Sequence, residues 1–180
     1  MSLLDKAIAA VTPPESQEAR QRARADAEAA ATPGDWLSLI LDHHRRIEAA
    51  FDALEAATDP AGRTPAQKAL GVILTGHSIA EEAAVYPAMA EEHQVGHAEL
   101  AYQEQSAAKM EMGLLETLDP SGEDYRDKFE HIRGAVMHHI YSEEGTWFPE
   151  LKESLPAAEQ ARIGERYREE FARYMGADAT

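Results

Sequence analysis

From Trp36 onward, apolar residues return at the three- and four-residue spacing of a helix face, and no stretch alternates as a half-buried strand would. Clusters of Pro, Gly, Asp and Ser interrupt this pattern at Thr32-Pro33-Gly34-Asp35, Thr58-Asp59-Pro60-Ala61-Gly62 and Asp119-Pro120-Ser121-Gly122. The pattern predicts four long helices at about 36–57, 65–91, 97–118 and 123–152, with a weaker break around Gly96. A further helix is expected from Pro156 to about Tyr174. Upstream, residues 3–31 hold two helical patches divided by Thr12-Pro13-Pro14-Glu15, with Thr12 placed to cap the second. The expectation is an all-α protein. Short connections make residues 35–153 an up-down-up-down four-helix bundle, with an accessory arm at 1–34 and a C-terminal helix at 154–180 packed on it.

Charge and composition narrow the function. The 33 acidic and 17 basic residues give a formal net charge of −16, which opposes nucleic acid and anionic membrane surfaces as partners. No apolar run has the length of a membrane span, and the N-terminus lacks a secretory pattern, so the cytoplasm is the expected compartment. Cysteine is absent, so any metal must be held by nitrogen and oxygen. The sequence leaves the oligomeric state open.

The candidate chemistry lies in an internal repeat. Residues 77–87 read HSIAEEAAVYP and residues 139–149 read HIYSEEGTWFP, which aligns His77 with His139, Glu81 with Glu143, Glu82 with Glu144 and Tyr86 with Phe148. Residues four apart share a helix face, so each His-x-x-x-Glu pair presents an imidazole and a carboxylate to one point in the interior. Two such pairs suit iron or manganese, and each carboxylate can serve two ions. Buried carboxylates without compensation would cost roughly several kcal/mol each, a penalty that cations remove. Glu82 and Glu144 lie one step around the helix and read as solvated groups or supports behind the ligands.

Further ligands follow from height in the bundle. Folding the first helix back against the second brings residue 43 or so level with His77, and His44 shares the apolar stripe of Ile47, Phe51 and Leu54; His43 is the alternative. The third helix offers no histidine at this level. Its inward stripe, stepped back from Leu118 through Leu115, Glu111 and Ala108, reaches Glu104, with Gln105 and Tyr102 as other oxygen donors. His138 reads as a support to the site, His93 and His97 as surface or supporting groups at the far turn, and His131 as structural. Tyr86, Tyr102 and Tyr141 read as core aromatics that could also neighbour the metal. No histidine has glutamate three residues before it, which argues against a ferritin-like carboxylate protein.

The order His44, His77-x-x-x-Glu81, His139-x-x-x-Glu143, each pair running on to Tyr or Phe and Pro, resembles the hemerythrin-like (HHE cation-binding) family over residues 36–152. The resemblance implies a four-helix bundle with two iron ions, an oxo or hydroxo bridge, terminal ligands His44, His77 and His139, and bridging Glu81 and Glu143. The chain departs from the family at Glu104-Gln105-Ser106, where a histidine is usual. The expected function is therefore a reaction with peroxide or dioxygen-derived species, catalase- or peroxidase-like. The alternative is a protein that binds or senses oxygen, nitric oxide or iron without turnover.

Overall fold

The computed structural model describes residues 15–176, and within them the chain is helical with no strand. The elements are α1 (Gln17–Ala30), α2 (Trp36–Ala56), α3 (Pro60–Glu91), α4 (Val95–Leu115), α5 (Glu123–Ser142), a π-helical turn (Glu143–Trp147), α6 (Phe148–Ser154) and α7 (Ala157–Met175). The helical patch expected before Pro13, and Thr12 as a cap, lie outside the described residues. Ser16 caps α1 instead, its hydroxyl accepting from the Ala19 N–H.

The punctuation acts as its chemistry requires. Asp35 accepts from the Ser38 N–H at 2.8 Å and starts α2, and Asp59 accepts from the Gly62 N–H at 2.8 Å and starts α3. The start of α3 thus falls at Pro60, five residues before the expected 65. At the far end of α3 the reversal falls on His93 rather than at Gly96: His93 adopts a φ of 68°, and the Gln94 N–H returns to the Met89 carbonyl at 2.8 Å. The expected 123–152 helix runs as α5, the π turn and α6 in succession.

α3 is the hub, packing against α2, α4 and α7, while α4 packs on α5. The core is built from Trp36, Leu37, Ile40, Ile47 and Phe51 of α2, Leu70, Val85 and Met89 of α3, and Ile132, Phe148 and Leu151 farther on. Helix α7 is strongly amphipathic, and it buries Ile163, Tyr167 and Phe171 against α2 and α3. Its end sits so close to α3 that a Cβ at Gly76 would lie 2.9 Å from Met175 Sδ. Helix α1 packs on α2, α6 and the π turn, where Gly145 lets Ala23 approach. No described helix is long and apolar enough to cross a membrane.

Candidate metal centre

Two turns of α3 and one of α2 meet the end of α5 at the middle of the molecule. Among the described residues, His44, His77, Glu81 and Glu143 form a group whose ligand atoms all lie within 4.8 Å of one another. All four are buried, and His44, Glu81 and Glu143 expose no surface. His77 Nε2 is 3.1 Å from Glu81 Oε2, and His139 Nε2 is 3.1 Å from Glu143 Oε1, so each four-residue pair closes on itself. His44 Nε2 lies 3.2 Å from Glu143 Oε2 and 4.0 Å from Glu81 Oε1.

Three of these inward atoms make no well-aligned hydrogen bond: His44 Nε2, Glu81 Oε1 and Glu143 Oε2, the 3.2 Å approach of His44 to Glu143 being a charge contact. A buried polar atom without an aligned hydrogen bond is costly, and three such atoms, two carboxylate oxygens and one imidazole nitrogen, converge from three helical segments. A cation coordinated by nitrogen and oxygen satisfies them together, so the donor set fits a metal. In its absence, protons do part of that work. Burial alone lowers His44, but its close contacts with the Glu143 and Glu144 carboxylates outweigh it and raise it to about 9. Burial likewise works against the charged form of His139, and Glu143 with Glu104 raises it to about 10. Burial favours a neutral Glu143, yet His139 and His44 hold it well below the usual carboxylate range.

Behind each inward nitrogen, the other ring nitrogen is held. His44 Nδ1 pairs with Glu144 Oε1 at 2.7 Å, His77 Nδ1 with the Tyr167 hydroxyl at 3.0 Å, and His139 Nδ1 with Glu104 Oε2 at 2.8 Å. Such bonds fix the ring tautomer and aim Nε2 at the centre. They also locate Glu104. The inward stripe of α4 suggested that its carboxylate reaches the metal, but here it sits on the outer side of His139, one quarter exposed. The same stripe misplaced Glu111, which pairs with Lys128, because Met112 takes the buried position.

The side of the centre facing α4 is closed by Gln105 and Tyr86. The Gln105 amide donates to Glu81 Oε2 and to the Tyr86 oxygen, both at 2.6 Å. The Tyr86 hydroxyl lies 2.8 Å from Glu143 Oε1, 3.1 Å from Glu81 Oε2 and 3.2 Å from His139 Nε2. Burial and the two carboxylates raise Tyr86 well above the ordinary phenol range. Read first as a core aromatic, Tyr86 is both buried and part of the centre. Tyr102 turns away: its hydroxyl donates to the Glu82 carbonyl and its ring meets Tyr86 edge-on. Tyr141 sits beside Gly145, on the side facing α1.

Two contributors come from helices that the repeat could not reveal. Arg24 of α1 donates to Glu144 at 2.7 Å and also to Glu48, so Glu144 is buried between Arg24 and His44. Its repeat counterpart Glu82 stays half-buried on Lys109. Tyr167 of α7 lies 2.6 Å from His43 Nδ1 as well as beside His77. Burial, with the nearby His77, Arg46 and His44, pushes His43 down to about 2, so it is neutral and can accept the Tyr167 proton. His43 stacks on Phe171 and faces away from the centre. His138 pairs with Glu15, and His97 stacks on Trp147 at 5.5 Å, so neither supports the metal residues directly. His93 and His131 are exposed.

A protein from Nostoc sp. named DNA nickase is 29% identical over 115 residues, which cover 62% of this chain and 32% of that protein. The chain thus spans about a third of that relative's length. No solved structure matches it significantly. Residues 36–151 match the hemerythrin HHE cation-binding domain, from the start of α2 into α6, and they include every residue of the four-ligand group together with His139. The chain belongs to the hemerythrin HHE cation-binding domain family.

Proposed function

We propose that this centre would hold two iron ions, with His44, His77 and His139 donating through Nε2, Glu81 and Glu143 able to serve both ions, and the Tyr86 hydroxyl closing the α4 side as a hydrogen-bond donor. The observation that supports the reading is the convergence of His44 Nε2, Glu81 Oε1 and Glu143 Oε2, all buried and none in an aligned hydrogen bond. Glu104 then acts through His139 as a positioning residue. Residues 35–153 form the up-down-up-down bundle in this reading; the N-terminal arm and the C-terminal helix support it through Arg24 and Tyr167.

When bound, such a centre supplies redox and Lewis-acid chemistry to peroxide or dioxygen-derived species. The chain's own residues set the conditions. His44 and Glu81 are shielded from water on every side, which strengthens each electrostatic interaction between them. Tyr86, held protonated by its surroundings, keeps a proton on its oxygen 2.8 Å from Glu143. Gln105 fixes the Tyr86 oxygen and Glu81 together. Nicking activity is not carried over from the Nostoc relative: the shared segment is a minor part of that protein, and a charge of −16 opposes a phosphate backbone.

Two measurements test the reading. Metal analysis of the purified chain is expected to give about two irons, and His77→Ala is expected to lose them. Full iron retention in that variant would remove the basis for the site. Sustained oxygen evolution from peroxide by the iron-loaded protein identifies an enzyme. A reversible oxygen-dependent spectrum without turnover identifies the alternative, a binding or sensing protein.

A further inference from the structure

A cavity of about 490 Å³ runs between α3, α4 and α5 and ends inward against His77, Gln105 and His139. Well-packed interiors leave few voids larger than a water molecule, and this one is large enough to take aliphatic side chains. On the side between α4 and α5 it reaches the surface at Ala107, His131 and Ala135. Leu74, Met112, Ile132 and Val136 make the wall behind that mouth apolar. Its charges select neither an anion nor a cation. Glu104 pairs with the cationic His139, Glu111 with Lys128 and Lys109 with Glu82, while Lys68 and Glu116 line it with opposite signs.

The path of the chain leads to that mouth. Late in α1, Arg24 and Glu28 meet Glu48 and Arg45 of α2. Before α1, Glu15 meets His138 of α5 at 2.5 Å, and His138 is part of the cavity lining. Followed backward, the chain thus crosses α5 away from α2, toward the α4 side where the cavity opens. Residues 1–14 precede this point, and among them Leu4, Ile8 and Val11 recur at the spacing of one helix face, with Leu3 and Ala7 beside them. Residues 3–11 as a helix would span about 13 Å, against roughly 10 Å along α5 from His131 to His138. Thr12, Pro13 and Pro14 give about 10 Å of connection in extended form. So short a helix is marginal in water and needs a surface on which to bury its apolar face.

We propose that residues 3–11 of this chain dock between α4 and α5, with Leu4, Ile8 and Val11 set into the cavity over Ala108 and Ala135. The small side chains at 108 and 135 leave room for them at the mouth. The docked segment lies over Glu104 and His139, so it screens the α4–α5 approach to the centre from water. Docking itself needs no metal, and the inference goes beyond the iron reading without resting on it.

The test uses the metal-free full chain, which has no cysteine of its own. A nitroxide is attached at Asp5→Cys, on the polar side of the segment, and backbone amide signals are recorded with the label oxidised and then reduced. The amides of Ala108 and Ala135 are expected to lose most of their intensity while the label is oxidised, and those of Ile163 and Gly164 on α7 to keep theirs. Adding Ile8→Asp to the labelled chain should restore the Ala108 and Ala135 signals with helical circular dichroism unchanged. Undiminished intensity at both residues in the first chain, or a loss that persists with Ile8→Asp, would overturn the proposal. So would a loss that appears in spin-free, isotope-labelled chain on mixing with the spin-labelled protein, because the occupant would then be the segment of a second copy.

Discussion

His44 and His77 face one point and His139 meets Glu143 beside it; each ring is held from behind, and the three holders differ in kind: a buried carboxylate for His44, a phenol for His77 and a part-exposed carboxylate for His139. Removing a holder leaves the ligand in place but frees its ring to rotate and change tautomer, which typically costs about 10- to 100-fold in metal affinity. Glu104→Ala is therefore expected to weaken iron retention against a competing chelator by about that factor, and Glu104→Gln to recover most of it, since the amide oxygen still accepts from Nδ1–H. Complete loss of one iron in both variants would instead make Glu104 a ligand. The glutamate at this level was legible in the sequence; which ring nitrogen it meets was not, because stripe arithmetic gives a face and leaves the reach of a side chain undefined.

The two halves of the sequence repeat differ at the scale of the helix. α3 continues as a regular helix through Pro87, and Glu82 turns outward to Lys109. At the matching place after α5 the backbone enters a π turn, with the Phe148 N–H reaching the Glu143 carbonyl five residues back. This bonding winds the chain less per residue, so Glu144 stays near the inward face that Glu143 occupies and becomes buried against His44. Glycine at 145 then allows α1 to close over the turn and deliver Arg24 to Glu144. Arg24→Ala leaves a buried carboxylate with one partner fewer. It is expected to destabilise the fold by about 1.5–3 kcal/mol, measured by urea unfolding at neutral pH. An unchanged unfolding midpoint would show that α1 rests on the bundle without being tied to it.

Over the whole molecule, the buried charges make stability depend on pH and on metal together. In the metal-free chain, His44 and His139 are raised from an ordinary 6.5 to about 9 and about 10. Their contribution is full below about pH 6.5 and is lost as pH rises through those folded values. Glu143 is depressed below an ordinary 4.5, so its contribution is full above that value and is lost as pH falls through its lower folded one. The thermal midpoint of the metal-free protein should therefore hold from about pH 5 to 7 and fall steadily toward pH 10. Metal takes the imidazole nitrogens and releases their protons, so the loaded protein should keep its midpoint across the alkaline range. Parallel pH curves for the two forms would mean that the metal does not bind these histidines.

What the sequence determined by itself was periodic: helices from the return of apolar residues, the start of α2 from Asp35, and the paired His-x-x-x-Glu turns from a repeat. These are local features, encoded within one or two turns of chain. Only the tertiary structure decided the rest. Arg24 and Glu144 are 120 residues apart, Tyr167 and His77 are 90 apart, and no spacing rule connects residues on helices that meet only after the core has closed. The shift from α to π winding after Ser142 is likewise invisible to a periodicity that assumes one helical pitch, yet it decides that Glu144 faces the centre while Glu82 faces Lys109.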